Sequence, residues 1–455
     1  MGNFRVVGID VIKGITIFMM IIVHAVTQVI ADYDGRVFLD LITKIPKICL
    51  YCLVYPLVIM GLWGTIFTFV TGITTAISAI RICNNNKRAF PSYLLQRFIF
   101  LVLLRLVESV GDAFFDKEYD IFNNGQFVIP PIKIGGGATT LDSIGWAGII
   151  APIVIYMLHP LIKKKSITQV IVIFSALTYT LFFISPYTIR FFAWLSKGRY
   201  RNEMGLLGDI FGKVAFGRFK IAQTGAFAVI GALYGVLIHY AVSISSMIYL
   251  GLGYLIVGIF YLIFCAYQDP NVFNHFVDDD VPLCAQVFSM GGITFLAFIH
   301  CYFVDGNRPL EKKLKSRRHV TFVLRLSMIT LTIFCTGSWV GRQIALPFKL
   351  AFGPPCVHGR TPMIVWNFWV CLVFTITLIM FWWGVSLLWE VYDFKYSLEY
   401  LLMKCLSVFT GKPVVTNSRK FVYGPAEEIK EEMENQSLIE EIVVDSVKVN
   451  ENNNL

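Results

Sequence analysis

The sequence predicts an all-α, polytopic membrane protein with about ten transmembrane spans, and three observations lead there. Of 455 residues, 56% are hydrophobic and only 15% are charged, where a soluble chain carries about 25% charged residues. Mean hydropathy is positive. Apolar runs near the roughly 20 residues that carry an α-helix across a bilayer recur along most of the chain.

Taken in order, the runs fall near 7–30, 47–80, 93–113, 143–163, 166–188, 221–243, 246–268, 282–304, 320–341 and 364–391. The second is long and contains Pro56 and Gly72, so a tilt, kink or split is expected there. Loop charge sets the orientation, because short basic loops stay in the cytoplasm. Arg81, Lys87, Arg88 and Arg97 mark one such loop, and "KKK" at 163–165 and "RPLEKKLKSRRH" at 308–319 mark two more. The acidic stretches 112–120 and "DPNVFNHFVDDD" fit the opposite side. Both termini are therefore expected in the cytoplasm. Residues 189–220 disagree, being basic on the side this topology places outside. Within them "FFAWLSKGRYR" suits an interfacial amphipathic helix, and a solvated basic loop suits it equally.

The multi-span domain is expected over 1–410. Residues 411–455, acidic and Asn-rich with almost no aromatic side chains, read as a disordered cytoplasmic tail. The net charge of +9 lies mostly in short loops between spans, so it argues for no nucleic-acid partner. The ten Cys are scattered mostly through apolar runs, where a free thiol behaves as a small hydrophobe. The close pair Cys49 and Cys52 lacks a second pair, and no metal centre is expected. The first apolar run lacks a small-residue cleavage site, so no cleaved signal peptide is expected, and Val6 spoils a myristoylation motif.

The first span carries the chemistry. "GIDVIKGITIFMMIIVHA", residues 8–25, would be an ordinary span without Asp10, Lys13 and His24. Lys13 and His24 are eleven residues apart, so they project from one helix face within about 20° and stand about 16 Å apart along the axis. Asp10 and Lys13 are spaced to pair. Ionisable groups at this depth face a bundle interior or a wet cavity when they are used. When they are not, Lys13 snorkels to the interface and His24 hydrogen-bonds a neighbouring helix. In the third span Arg97, Arg105, Glu108 and Asp112 fall within one stripe of about 80° on the helix wheel. It reads either as an internally neutralised ion pair or as a place where Arg97 meets phosphates. The stripe is expected to face the first span. His239 and His300 read as core histidines.

The pattern Asp-x-x-Lys-Gly-(x9)-His in "IDVIKGITIFMMIIVH" resembles the first-span signature of the acyltransferase-3 superfamily. It is similar also to the catalytic domain of heparan-alpha-glucosaminide N-acetyltransferase and its prokaryotic relatives. Lys13 departs from the family's Arg and lacks its bidentate fork. Weaker likenesses follow in order: "FTFVTGITTAISA", "FPSYLLQRFIFLVLLRLVES", "TTLDSIGWAGIIAPIV", "FAVIGALYGVLI", "HGRTPMIVW" and "FKYSLEYLLMKCLS". In the last, Ser397, Tyr400 and Met403 replace the family's Pro, Trp and Arg. The resemblance implies transfer of an acyl group, acetyl being the expected one, from cytoplasmic acyl-CoA to a hydroxyl or amine of a sugar-like acceptor. On that reading His24 is the base or acyl carrier, assisted by Lys13 and Asp10. Arg97 and Arg105 bind the donor, and Glu108 and Asp112 support them. No permanently bound cofactor is implied, and acyl-CoA is a co-substrate; homo-oligomerisation stays open. The alternatives are a transporter with these groups along a proton or solute path, and a non-catalytic sensor that keeps the fold.

Overall fold

A computed structural model describes residues 6–32, 34–47, 64–115, 137–197, 206–272, 281–305, 320–358 and 362–411, together with 414 and 422. Helices dominate. α1 (Val7–His24) runs into a π-helix at Ala25–Ile30, followed by α2 (Gly35–Lys44), α3 (Gly64–Asn85) and α4 (Phe90–Phe115). Next come α5 (Thr140–Lys164), α6 (Ile167–Lys197), α7 (Leu206–Ala215), α8 (Ile221–His239), α9 (Ile244–Gln268) and α10 (Leu283–Asp305). α11 (Thr321–Met328) and α12 (Thr330–Phe352) lead to a two-stranded antiparallel hairpin, β1 (Cys356–Val357) with β2 (Met363–Ile364). α13 (Phe368–Val391) and α14 (Leu398–Thr410) complete the described chain.

Eight of these helices are long and apolar enough to cross a membrane, and a ninth span arises if α11 and α12, bent by 88°, are counted as one. α4 has 26 residues, about 39 Å at the helical rise, but its charges set it apart from those eight. The chain is a multi-pass helical membrane protein.

α8 is the hub. It is apolar all round, every residue from Gln223 to Ile238 is buried, and a helix with no polar face has to be surrounded. α3, α5 and α6 pack around it. The α3–α8 contact depends on small residues: a Cβ at Gly231 would strike the backbone carbonyl of Phe69, and one at Gly72 that of Ala228. Close backbone approach of this kind is how helices associate where no hydrophobic effect drives them together. Tyr234 fills the next layer, stacked on Phe298 of α10 with ring centroids 4.5 Å apart. On the other side α1 lies against α11, α10 and α12.

The disputed basic segment has a structural explanation. "FFAWLSK" is not a separate interfacial helix, because it continues α6 to Lys197. α7 then folds back on α6 and brings Lys213, 7% exposed, onto Asp142. Lys220 is likewise buried, 3% exposed. Charges neutralised inside the bundle do not act as loop charges, so part of this segment drops out of the orientation rule. Cys49, Cys52, the 308–319 stretch and the acidic 277–280 stretch lie outside the described residues, as does nearly all of 411–455.

Candidate functional site

Two groups of ionisable side chains sit within the bundle, and they differ in kind. The first is on α1. Its opening turn is fixed by the backbone N–H of Gly8, which donates to the Asp305 carboxylate at 2.6 Å. Lys13 and His24 are both half-buried. Between them on the same face lies Ile17, 0% exposed, with Ile21 beside it at 3%. That face therefore points into the protein rather than at lipid. α1 is regular as far as His24 and becomes a π-helix at the next residue. π-turns inside membrane helices often mark functional positions. Within this π-helix, Gln28 accepts a hydrogen bond from the Ser338 hydroxyl of α12.

Among the described residues no ion pair joins Asp10 to Lys13, so the expected pairing is not formed. Neither Lys13 nor His24 makes a hydrogen bond or ion pair with a described residue. The small cavity beside α1 is lined by Ile12, Ile15, Ile66, Ile293, Leu296 and His300 among others, and not by Lys13 or His24. Lys13 and His24 therefore do not share that cavity.

The second group joins α4, α5 and α7. Arg105 pairs with Glu108 one turn on, as the spacing predicts. The group is larger than the sequence reading foresaw. Arg105 Nη1 also lies 3.8 Å from Asp142 Oδ2, and Lys213 Nζ donates to that oxygen at 2.6 Å. Asp142 and Thr139 form a reciprocal capping box at the start of α5. Glu108, Asp142 and Lys213 are all buried, so two acids and two bases neutralise one another out of water. The stripe faces α5, with α12 and α14 also against α4, and not α1 as expected. The reason is Asp142, a partner close enough to hold Arg105. Asp112 lies in α4, and its side chain is outside the described residues.

Arg97 stands apart from that group. Its guanidinium lies over the Tyr93 ring, 4.9 Å from the centroid, and its Nε is buried without a hydrogen-bond partner. His300 and His159 are held by hydrogen bonds to neighbouring groups. His300 Nδ1 is 2.7 Å from the Leu296 carbonyl, and His159 Nε2 is 3.0 Å from Asn84 Oδ1. His275 and His319 lie outside the described residues.

Sequence reasoning missed Asp142, Lys213 and Glu399. Thr139-x-x-Asp142 before an apolar run is a capping-box signal that points to Asp142. Lys213 offered no signal beyond its place in a loop of the wrong charge. Glu399, in the "SLEYLLMK" element, reaches the start of α12. There it accepts hydrogen bonds from the backbone N–H groups of Leu331 and Thr332 and, at 2.7 Å, from the Thr332 hydroxyl. It caps the helix that begins after the 88° bend, where the first N–H groups lack helical partners. Burial pushes its carboxyl up from the ordinary carboxylate value. Arg325 of α11 and Glu390 of α13 form a further buried pair at 2.7 Å. Among the described residues no group of three or more His, Cys, Asp or Glu is placed to hold a metal ion.

The fold and its buried charges define a multi-pass helical membrane protein with ionisable groups inside the bundle. No family model, curated protein or solved structure matches the chain.

Proposed function

We propose that the protein is an integral membrane acyltransferase that moves an acyl group from acyl-CoA to a hydroxyl or amine of a sugar-like acceptor. One observation carries this reading. α1 keeps Lys13 and His24 on a buried face, unpaired among the described residues, and turns to a π-helix directly after the histidine. An apolar bundle that retains ionisable groups without partners normally uses them. The first-span motif supplies the chemistry.

In this reading the bundle has ten spans, α4 being the tenth, and both termini are cytoplasmic. Lys13 and Asp10 hold the anionic donor near the start of α1. Arg97, steadied by Tyr93, meets its phosphates. His24, about 16 Å further along the helix, takes the proton from the acceptor as it attacks the acyl carbonyl, or carries the acyl group briefly itself. Arg105, Glu108 and Asp142 hold the α4–α5 wall in place. The reading is tested with purified protein and labelled acetyl-CoA: acyl consumption with a sugar amine or alcohol supports it. Proton or solute flux in liposomes without acyl consumption would replace it with the transporter.

A further inference from the structure

α3, α8 and α10 begin at one end of the bundle. Gly231 packs on Phe69 and Gly72, and Gly235 on Ile73 and Ala76, so α8 runs parallel to α3. The Gln223–Gln286 hydrogen bond and, further along, the Tyr234–Phe298 stack align α10 with α8. α1 runs the other way. A Cβ on Gly8 would strike the Cys301 backbone, while Ile12 and Ile15 share a cavity with Ile293 and Leu296. Counted from the Gly8–Cys301 contact, His24 lies about 24 Å along α1 and Gln286 about 22 Å along α10. The first turns of α3, α8 and α10 therefore meet at the depth of His24.

Between those first turns lies a recess of about 310 Å³, open solvent at its mouth included. Its closed end has room for one group about the size of a water molecule. Thr65, Thr224, Gln286 and Ser289 supply its polar lining, and Phe219 and Phe227 its aromatic walls. Gln286 is 6% exposed and Ser289 7%. They are one helical turn apart on α10, so their side chains share a face. Gln286 Nε2 donates to Gln223 Oε1 at 2.7 Å. Gln286 Oε1 and the Ser289 hydroxyl, by contrast, are buried with no protein hydrogen-bond partner. Unsatisfied polar atoms in an interior are costly, and a fold that keeps two of them side by side has something else to satisfy them.

What fits the recess follows from what those two atoms need. Gln286 Oε1 requires a donor and Ser289 can itself donate, and an alcohol offers a donor and an acceptor on one oxygen. Among the described residues that line the recess none is a carboxylate, and Arg218 is one of them, so an ammonium group finds no counter-charge there. A ring hydroxyl cannot enter so small a space without its ring, whereas a hydroxymethyl arm can. We propose that the recess binds the primary hydroxyl of a hexose-like molecule, which donates to Gln286 Oε1 and accepts from Ser289 Oγ. That this hydroxyl belongs to the acyl acceptor rests on the acyl-transfer reading; the binding itself does not.

The test uses the full chain in lipid nanodiscs free of sugar detergent, with methyl β-D-glucoside as probe and saturation-transfer NMR to follow its binding. The 6-deoxy and 6-amino-6-deoxy analogues should each bind about tenfold more weakly, the first for want of the hydroxyl and the second because it carries a charge. Ser289→Ala should weaken the glucoside about tenfold while the melting temperature holds or rises, since the hydroxyl removed makes no bond within the fold. A merely structural serine would do the opposite, lowering the melting temperature and leaving binding alone. Gln223→Leu together with Gln286→Leu, which strands neither amide, should erase the preference for the glucoside over its 6-deoxy analogue. No saturable binding of the glucoside, equal binding of the 6-deoxy analogue, or binding indifferent to Ser289→Ala overturns the site and leaves the recess to water. Acetyl-CoA turnover on the same preparations separates the two readings. Ser289-dependent binding without acyl transfer removes the α1 reading and keeps this site, whereas turnover with an acceptor KM unmoved by Ser289→Ala does the reverse.

Discussion

Two regions of this bundle bury charge, and they do so in opposite ways. In the cluster of Arg105, Glu108, Asp142 and Lys213 every charge has a counter-charge: Arg105 with Glu108, Lys213 with Asp142, and Arg105 within 3.8 Å of Asp142. On α1, Lys13 and His24 have no such partners among the described residues. A neutralised cluster needs no water and no ligand, so it reads as a clasp. Groups left without partners on a buried face have an unmet electrostatic requirement, which a ligand or a wet cavity satisfies. On the proposed reading, pairing, and not burial alone, separates structure from site.

The sharpest way to break the comparison is at His24. If it is a working group, His24→Ala should lower acyl turnover by about 10²–10⁴ while the melting temperature and acetyl-CoA affinity hold. A His24→Gln protein that folds, binds acetyl-CoA and turns over normally would reduce His24 to a hydrogen-bond partner. At the clasp the outcome should be reversed. Asp142→Ala strands Lys213 in the interior and should destabilise the fold by about 3–5 kcal/mol. The double change Asp142→Ala with Lys213→Met should recover most of that loss, as a thermal-unfolding cycle would reveal. Additive losses would mean that the pair is not coupled.

A smaller stability effect is expected where neither charge group is involved. Gly231→Leu drives a side chain into the Phe69 carbonyl and should lower stability by about 1–3 kcal/mol, read as melting temperature. Lys13 should act on binding more than on chemistry. Lys13→Arg should keep most activity, whereas Lys13→Ala should raise the donor KM more than it lowers kcat.

The smallest effect concerns pH. Burial raises the Glu399 carboxyl, so the folded chain holds that proton more tightly than the unfolded chain does. This contribution is fully present below the unfolded value and is lost as pH rises through the folded one. Glu399→Gln should therefore flatten the fall in melting temperature between acidic and neutral pH. An unchanged slope would assign that pH dependence to other groups.

Much of the architecture was legible because its signals are local. Run length and apolarity located α1, α3, α5, α6, α8, α9, α10 and α13, since each helix must satisfy its own backbone in lipid. The Arg105–Glu108 pair followed from spacing within one helix. Misreadings arose where the deciding partner lay far along the chain. Lys213 looked like a loop charge until α7 folded it onto Asp142, 71 residues away. The α4 stripe was assigned to α1 because sequence spacing gives a face its direction but names no neighbour.

The sequence by itself determined that this chain is a multi-pass membrane protein, which helices are apolar and long enough to cross, and that α1 keeps ionisable groups on one face, because these follow from hydropathy and helical period. Only the tertiary structure decided which charges are neutralised. It placed Asp142 between Arg105 and Lys213, used Glu399 to cap α12, and joined Asp32 and Asp34 to His358. Coulomb energy and hydrogen bonding depend on distances of a few ångströms between residues dozens to hundreds of positions apart, and those distances exist only once the helices have packed.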